Sequence, residues 1–355
     1  MMRSFIGLVL AAAAVIAVCG TRFNQRDLLI GRWTGPVWDA YEYTAFVEYL
    51  RGEASPGQLT APFVYRPLVP WLAAQLPAEP LTAINLINVT AIWGSAIILY
   101  RMQRVCGAGT RWSAAGCAMF IFSFPTFYYG SIGLVDPVLV LCIALATYSL
   151  VRDKWPWFHV AFVVGLLTKE SAVILLPVAL SYLILQRRMP WRRVAIAAIW
   201  LACVFLAVTL LTRLLYPADS PAYVWSPAWT RIVSNITRLK TWASFMLSLG
   251  LPGLLGVYAA SHWKQAWFQE RRQHFGPLLV GMAMSFALFA YAMVSAYADG
   301  RFIWLSYPFA IPLATSALSL RHQNQRKDIT TEDTEKQGET VIRCRGDKAS
   351  VASAA

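Results

Sequence analysis

Charged side chains stand in a few short, otherwise apolar stretches of this chain, where a hydrophobic sequence has little reason to carry them. In PVWDAYEYTAFVEYL, residues 36 to 50, helical periodicity lines up Tyr43, Phe46, Val47 and Leu50 as an apolar stripe with Asp39 in its middle. A carboxylate partly withdrawn from water at that position is suited to act as a general base or to help hold a divalent cation. The competing reading is a helix N-cap, with Glu42 completing a reciprocal capping box. The helix can equally begin at Thr34 with Pro36 in its first turn, which leaves Asp39 internal. In FVYRPLVPWLA, Arg66 precedes Pro67, so its backbone is biased to extended geometry and a helix starts just after it. A guanidinium beside a helix N-terminus attracts phosphate, and an arginine snorkelling to lipid headgroups is the alternative.

Four further residues extend this set. Asp136 lies in GSIGLVDPVLVL, where Asp followed by Pro is also a way simply to start a helix. Lys169 and Glu170 form the joint TKES between two apolar segments, each too short to span a bilayer comfortably. Charges at that depth are costly and usually line a polar cavity or substrate path, and adjacent residues on a helix diverge rather than pair. Arg301 follows Asp299 and Gly300 in a tight turn, where pairing with Asp299 or with headgroups competes with a substrate role. The four histidines are scattered and suggest neither a metal site nor a catalytic triad, and the six cysteines have no zinc or disulfide spacing. Trp225 and Trp229 could stack on a sugar or anchor a loop.

The elements that must position these residues follow from composition. With mean hydropathy +0.49 and 14% charged residues over 355, the chain is far more apolar than a soluble domain. It reads as an all-α integral membrane protein with about ten transmembrane segments: 4–20, 81–100, 112–130, 135–151, 194–215, 241–261, 277–297 and 302–320, and a shorter pair at 156–168 and 171–186. The net charge of +13 does not require nucleic acid. Arg101, Arg104, Arg111, Arg152, Lys154, Arg192, Arg193 and the basic residues after Leu320 fall on one side if the segments alternate. That is the positive-inside pattern of a cytoplasmic membrane protein with both termini in the cytoplasm. The first span reads as an uncleaved anchor. Residues 1–320 form the membrane domain, and 321–355 are too polar to order themselves. Two outer segments, 21–80 and 216–240, are long enough to carry function, the first with interfacial helices near 38–51 and 67–76.

The stretches WDAYEY, YRPLVPWLA, GLVDP, LLTKESAVILLP and GRFIWLSYPF, in this order and with these loop placements, resemble the GT-C class of membrane glycosyltransferases over roughly residues 1–320. The nearest flavour is the bacterial mannosyltransferase-like or aminoarabinose-transferase-like members. The resemblance implies a polyprenyl phosphate sugar donor in the outer leaflet and an acceptor that is a lipid, glycan or protein. It makes Asp39 the catalytic acid/base, with Glu42 and Asp136 as acidic partners. It makes Arg66, Lys169 and Arg301 phosphate contacts, with Glu170 beside them at the substrate. If a divalent cation such as Mg or Mn is used, Asp39 and Glu42 would hold it. The rival reading is a transporter or flippase for a lipid-linked or anionic substrate, and a third is a non-catalytic relative. Charges confined to the outer third and the lack of an inverted repeat favour the enzyme.

Overall fold

The computed structural model describes residues 2–24, 38–185, 189–216, 218, 220–221, 228–265, 268–269, 271–295 and 298–323. Its helices are α1 (Met2–Asn24), α2 (Trp38–Leu50), α3 (Leu68–Ala74), α4 (Pro80–Val105), α5 (Thr110–Ile121), α6 (Phe124–Tyr129), α7 (Asp136–Val151) and α8 (Trp155–Thr168). They continue with α9 (Leu175–Leu185), α10 (Trp191–Leu215), α11 (Ala228–Thr237), α12 (Leu239–Ser261), α13 (Arg272–Ser295), α14 (Arg301–Trp304) and α15 (residues 307–323). Among the described residues, α4, α10, α12 and α13 are long and apolar enough to cross a membrane, whereas α7, α8 and the 170–185 segment are apolar but shorter. Helix α1 is as long as α12, at 23 residues, so length alone does not separate it from the four, whereas α7, α8 and α9 are shorter than a full upright crossing. The tail from 324 onward and a helix start at Thr34 lie outside the described residues, as does Trp225.

Local sequence explains the breaks. The expected span 112–130 is two helices, because Pro125 cannot continue α5 and Ser123 caps α6, its hydroxyl accepting from the Thr126 amide. Glu79 caps α4 in the same way, accepting from the Leu81 and Thr82 amides ahead of Pro80 at the first helical position. The 156–186 segment breaks at Lys169, which is extended (φ −167°, ψ 138°), and resumes as a 3-10 turn at Glu170–Ile174. α8 packs along α7 and α9 along α13, so the two halves go to different neighbours. α7 is apolar all round and buried nearly all round, which makes it the centre of the bundle, against α4 and α8. α12 is kinked at Gly250, ahead of Pro252.

The loop segments around Thr60 and Ser220 meet. Thr60–Ala61 and Ser220–Pro221 pair as a short parallel ladder, Thr60 opposite Ser220, and Phe46 packs edge-on against Tyr216 with ring centroids 5.3 Å apart. This ladder has no signal in the hydropathy pattern, because two residues per strand are too few to show alternation. α3 is closed at its C-terminal end by Arg51, whose Nη2 donates to the carbonyls of Leu76 (2.9 Å) and Ala78 (2.7 Å).

Candidate functional site

Asp39 enters from the first turn of α2 and is nearly buried. Its Oδ2 accepts from Arg301 Nη1, across 262 positions of sequence. The reciprocal capping box is not what Glu42 makes: its Oε2 accepts instead from the Thr60 hydroxyl on the outer ladder. Glu42 is thereby committed to the loop rather than to the charged cluster.

Asp136 opens α7, with Val135 as the flanking residue, and its side chain makes no cap. Oδ1 accepts from Lys169 Nζ at 2.7 Å and Oδ2 lies 3.9 Å from Arg301 Nη1. Both members of the Asp136–Lys169 pair are almost sealed from solvent, at 2% and 4% side-chain exposure. Lys169 and Glu170 diverge as adjacent residues should. The extended backbone at Lys169 sends its ammonium inward, while Glu170 receives Arg66 through Nε (2.9 Å) and Nη2. Arg66 Nη1 also donates to the Tyr43 hydroxyl at 2.8 Å. Burial works against the Arg66 charge, but Glu170 and Tyr43 outweigh it and hold its pKa above the usual arginine range. Glu170 is half-exposed, at 52%, and forms the wet edge of the cluster.

Arg301 is the hub. Beyond Asp39 and Asp136 it meets Asp299, with Nε 3.4 Å from Asp299 Oδ2, and its backbone amide donates to Asp299 Oδ1 at 2.7 Å. Burial pushes the Asp299 carboxyl up, with Arg301 pulling the other way and Asp136 and Asp39 adding to the rise. Phe302 lies under both cations, its ring centre 5.3 Å from Lys169 Nζ and 5.9 Å from the Arg301 guanidinium carbon.

Two loops hold these groups in place. The 130–135 turn that delivers Asp136 hangs from α4: the Gly133 amide donates to Asn85 Oδ1 at 2.9 Å, and Asn88 Nδ2 donates to the Leu134 carbonyl at 2.7 Å. Gly133 has φ +81°, and a Cβ there would stand 2.8 Å from Ala40 Cβ and 2.5 Å from Leu81 Cδ1. Only glycine lets the turn approach α2 beside Asp39. The 298–300 turn that delivers Arg301 hangs from α11 and α12. The Gly300 amide donates to Ser244 Oγ at 2.7 Å and the Ala298 amide to Asn235 Oδ1 at 3.2 Å. A Cβ on Gly300 would meet the Ser244 carbonyl at 2.3 Å, so this approach too is reserved for glycine.

Asp39, Arg66, Asp136, Lys169, Glu170 and Arg301, singled out by charge in apolar sequence, thus form two adjoining groups: Asp39, Arg301, Asp136 and Lys169 are linked by ion pairs, and Arg66 with Glu170 joins them through the Lys169–Glu170 peptide. Glu42 stands outside both and Trp229 is on the surface. Tyr43, Asp299 and Phe302 complete them. Tyr43 had read only as part of an apolar stripe, and Asp299 only as a turn residue. Asn85 and Asn88 are outside the set that charge marks out, although two amides three apart on an apolar helix are a signal in themselves. A cavity of about 540 Å³ lined by Arg51, Glu53 and residues 74–79 shares no residue with the network, and its arginine is already engaged by carbonyls. The clustered charges, not this cavity, are the candidate site.

A divalent cation takes roughly six oxygen ligands at close range. Asp39 and Glu42, the pair expected to hold one, each have another partner, and Asp136 is engaged by Lys169 and Arg301. Among the described residues no group of three or more His, Cys, Asp or Glu is arranged to hold a metal ion, so the donor set does not fit one.

No family model and no curated protein matches the sequence. Among solved structures, the chain is similar to the apo oligosaccharyltransferase of Archaeoglobus fulgidus, with TM-score 0.57 and 12% identity over 93% of this chain and 52% of that one. The chain spans about half the length of the protein it matches, and what the two share is the GT-C-type membrane fold.

Proposed function

We propose that the chain is a glycosyltransferase that moves a sugar from a lipid-linked phosphate donor to an acceptor at the outer face of the membrane. The observation that carries this reading is the charged cluster of Asp39, Asp136, Arg301, Lys169 and Arg66, with Glu170 at its exposed edge, assembled from distant segments in a chain with an oligosaccharyltransferase-like fold. In this reading about ten helical segments lie in a cytoplasmic membrane with both termini inside, and the network faces out. The donor is a polyprenyl phosphate sugar.

The chemistry follows from the groups present. Transfer from a sugar phosphate develops negative charge on the departing phosphate, and fixed cations placed there lower the barrier. Lys169, buried and paired with Asp136, adds its charge to the positive field beside Arg301 that a departing phosphate would meet. Arg66 is held rigid by Glu170 and Tyr43 at the wet edge, where a lipid phosphate would enter. Asp39, aimed by Arg301, takes the proton of the acceptor hydroxyl as that oxygen attacks the sugar.

The test is transfer from a panel of radiolabelled polyprenyl phosphate sugars into membrane extracts, comparing the native chain with Asp39→Asn at matched expression. Transfer that disappears in a folded Asp39→Asn supports the assignment. Equal transfer by both would remove Asp39 from catalysis, and no transfer by either would favour the transporter or binding readings.

A further inference from the structure

Three carboxylates from three separate segments surround one guanidinium: Asp39 from α2, Asp136 from α7 and Asp299 from the turn before α14. Carboxylates brought together inside an apolar bundle repel one another and need a cation to hold them. Many proteins meet that need with a bound metal; here a side chain lies among them. Arginine suits this place because it stays protonated over any accessible pH and presents five donors in a planar fork, enough for several carboxylates at once. A metal would need the oxygens drawn in to about 2.0–2.6 Å. In this site Arg301 hydrogen-bonds Asp39 directly and holds Asp136 Oδ2 and Asp299 Oδ2 as looser ion pairs, 3.9 and 3.4 Å from its nitrogens. The turn that supplies Arg301 is locked by the close approach of Gly300 to α12 and by Asn235, so the cation is part of the scaffold.

We propose that Arg301 is the resident cation of this site, occupying the place of a divalent metal, and that it is a positioning residue for Asp39 in a metal-independent transfer. The inference rests on the proposed transfer site, but its deciding measurement does not require turnover. Arg301 aims the Asp39 carboxylate through a direct hydrogen bond and neutralises the neighbouring acids, the two tasks a metal would otherwise perform.

The experiment is a Mn2+ titration of the purified full-length chain in detergent, with free Mn2+ followed by electron paramagnetic resonance and thermal stability in parallel. The native chain is expected to show no saturable Mn2+ binding up to millimolar concentration. A saturable site that Asp39→Asn abolishes would overturn the proposal, whatever becomes of any variant of Arg301. Arg301→Gln leaves the three carboxylates without their shared cation and is expected to gain a Mn2+-dependent rise in Tm that the native chain lacks. A merely structural arginine would not produce that gain, and a folded Arg301→Gln as blind to Mn2+ as the native chain would also overturn the proposal. Where transfer is measurable, it is expected to be unchanged in EDTA. Loss of transfer restored by Mn2+ or Mg2+ refutes metal independence and leaves the glycosyltransferase reading standing. Absence of transfer from every donor refutes that reading while the Mn2+ titration still decides the role of Arg301.

Discussion

At the scale of single residues, the Asp136–Lys169 pair sets the terms. Neither charge has water to fall back on; Lys169 leans on Asp136 at 2.7 Å, while Asp136 has Arg301 as a second, more distant cation at 3.9 Å. Lys169→Met should cost up to about 3–5 kcal/mol, because it leaves a buried carboxylate with only that longer contact. Asp136→Leu in the Lys169→Met background should restore a large part of that loss, since the double variant buries neither charge. Thermal unfolding in detergent of the two single variants and the double tests this, and additive losses would mean that the two residues act separately. Asp299 carries the opposite sign of pH dependence from an ordinary salt-bridged carboxylate. It is the third acid on one guanidinium, and burial raises its pKa in the folded chain. Its contribution to stability is therefore fully present below the ordinary Asp range, near pH ~3.9, and is lost as pH rises through the folded value. Asp299→Asn should match the native Tm at low pH and exceed it progressively as the native carboxyl ionises. A Tm difference flat with pH would refute this. The sequence exposed the participants of this network, because charge in an apolar run is costly and so conspicuous. It could not expose their pairing: Asp39 and Arg301 are 262 positions apart, and no local pattern encodes such a contact.

At the scale of elements, periodicity located nearly every helix, since apolar runs and their Gly or Pro boundaries are local properties. It missed the break at Ser123–Pro125, hidden inside an apolar run, the helix α11 inside a segment that reads only as a long loop, and the ladder joining Thr60–Ala61 to Ser220–Pro221, too short to have a period. What positions the site is the pair of glycine turns ahead of Asp136 and Arg301. Gly133 is the sharper case, with a left-handed backbone and atoms of Leu81 and Ala40 inside contact distance of any added Cβ. Gly133→Ala should cost about 1–2 kcal/mol for the backbone and a further ~1–3 kcal/mol for overpacking. Because the turn leads straight into Asp136 and leans on α2 beside Asp39, transfer should fall more steeply than Tm. A control on α4, the helix from which this turn hangs, is Thr90→Ala, which removes only an exposed hydroxyl that bonds back to the Leu86 carbonyl, and it should change neither. Equal behaviour of the two variants would show that the turn does not set the geometry of the cluster.

At the scale of the whole molecule, the question is which surfaces meet lipid. α10 is the clearest case. It is 25 residues long, about 37 Å at ~1.5 Å per residue against a hydrocarbon core of ~30 Å. Between Arg193 and Arg213 it carries no charge, yet only 6% of its most apolar stretch is buried inside the protein, whereas the corresponding stretch of α4 is 44% buried. Ile196, Ile199, Trp200, Leu206, Leu210 and Leu214 all stand exposed along it. A helix with that surface would drive aggregation in water, and hydrocarbon satisfies it without further contacts. Cys203 lies midway along α10, is exposed and is free, so it reports the depth directly. A nitroxide on Cys203, in a chain with Cys117→Ala and Cys344→Ser reconstituted into vesicles, should collide readily with dissolved oxygen and hardly at all with a water-soluble nickel chelate. Cys19, Cys106 and Cys142 are buried and should label poorly under the same conditions. A label at Cys203 that met the nickel chelate freely would place the middle of α10 in water. The most exposed apolar face of the molecule would then need a protein partner rather than a bilayer, and a network placed at the outer membrane surface would lose its frame of reference.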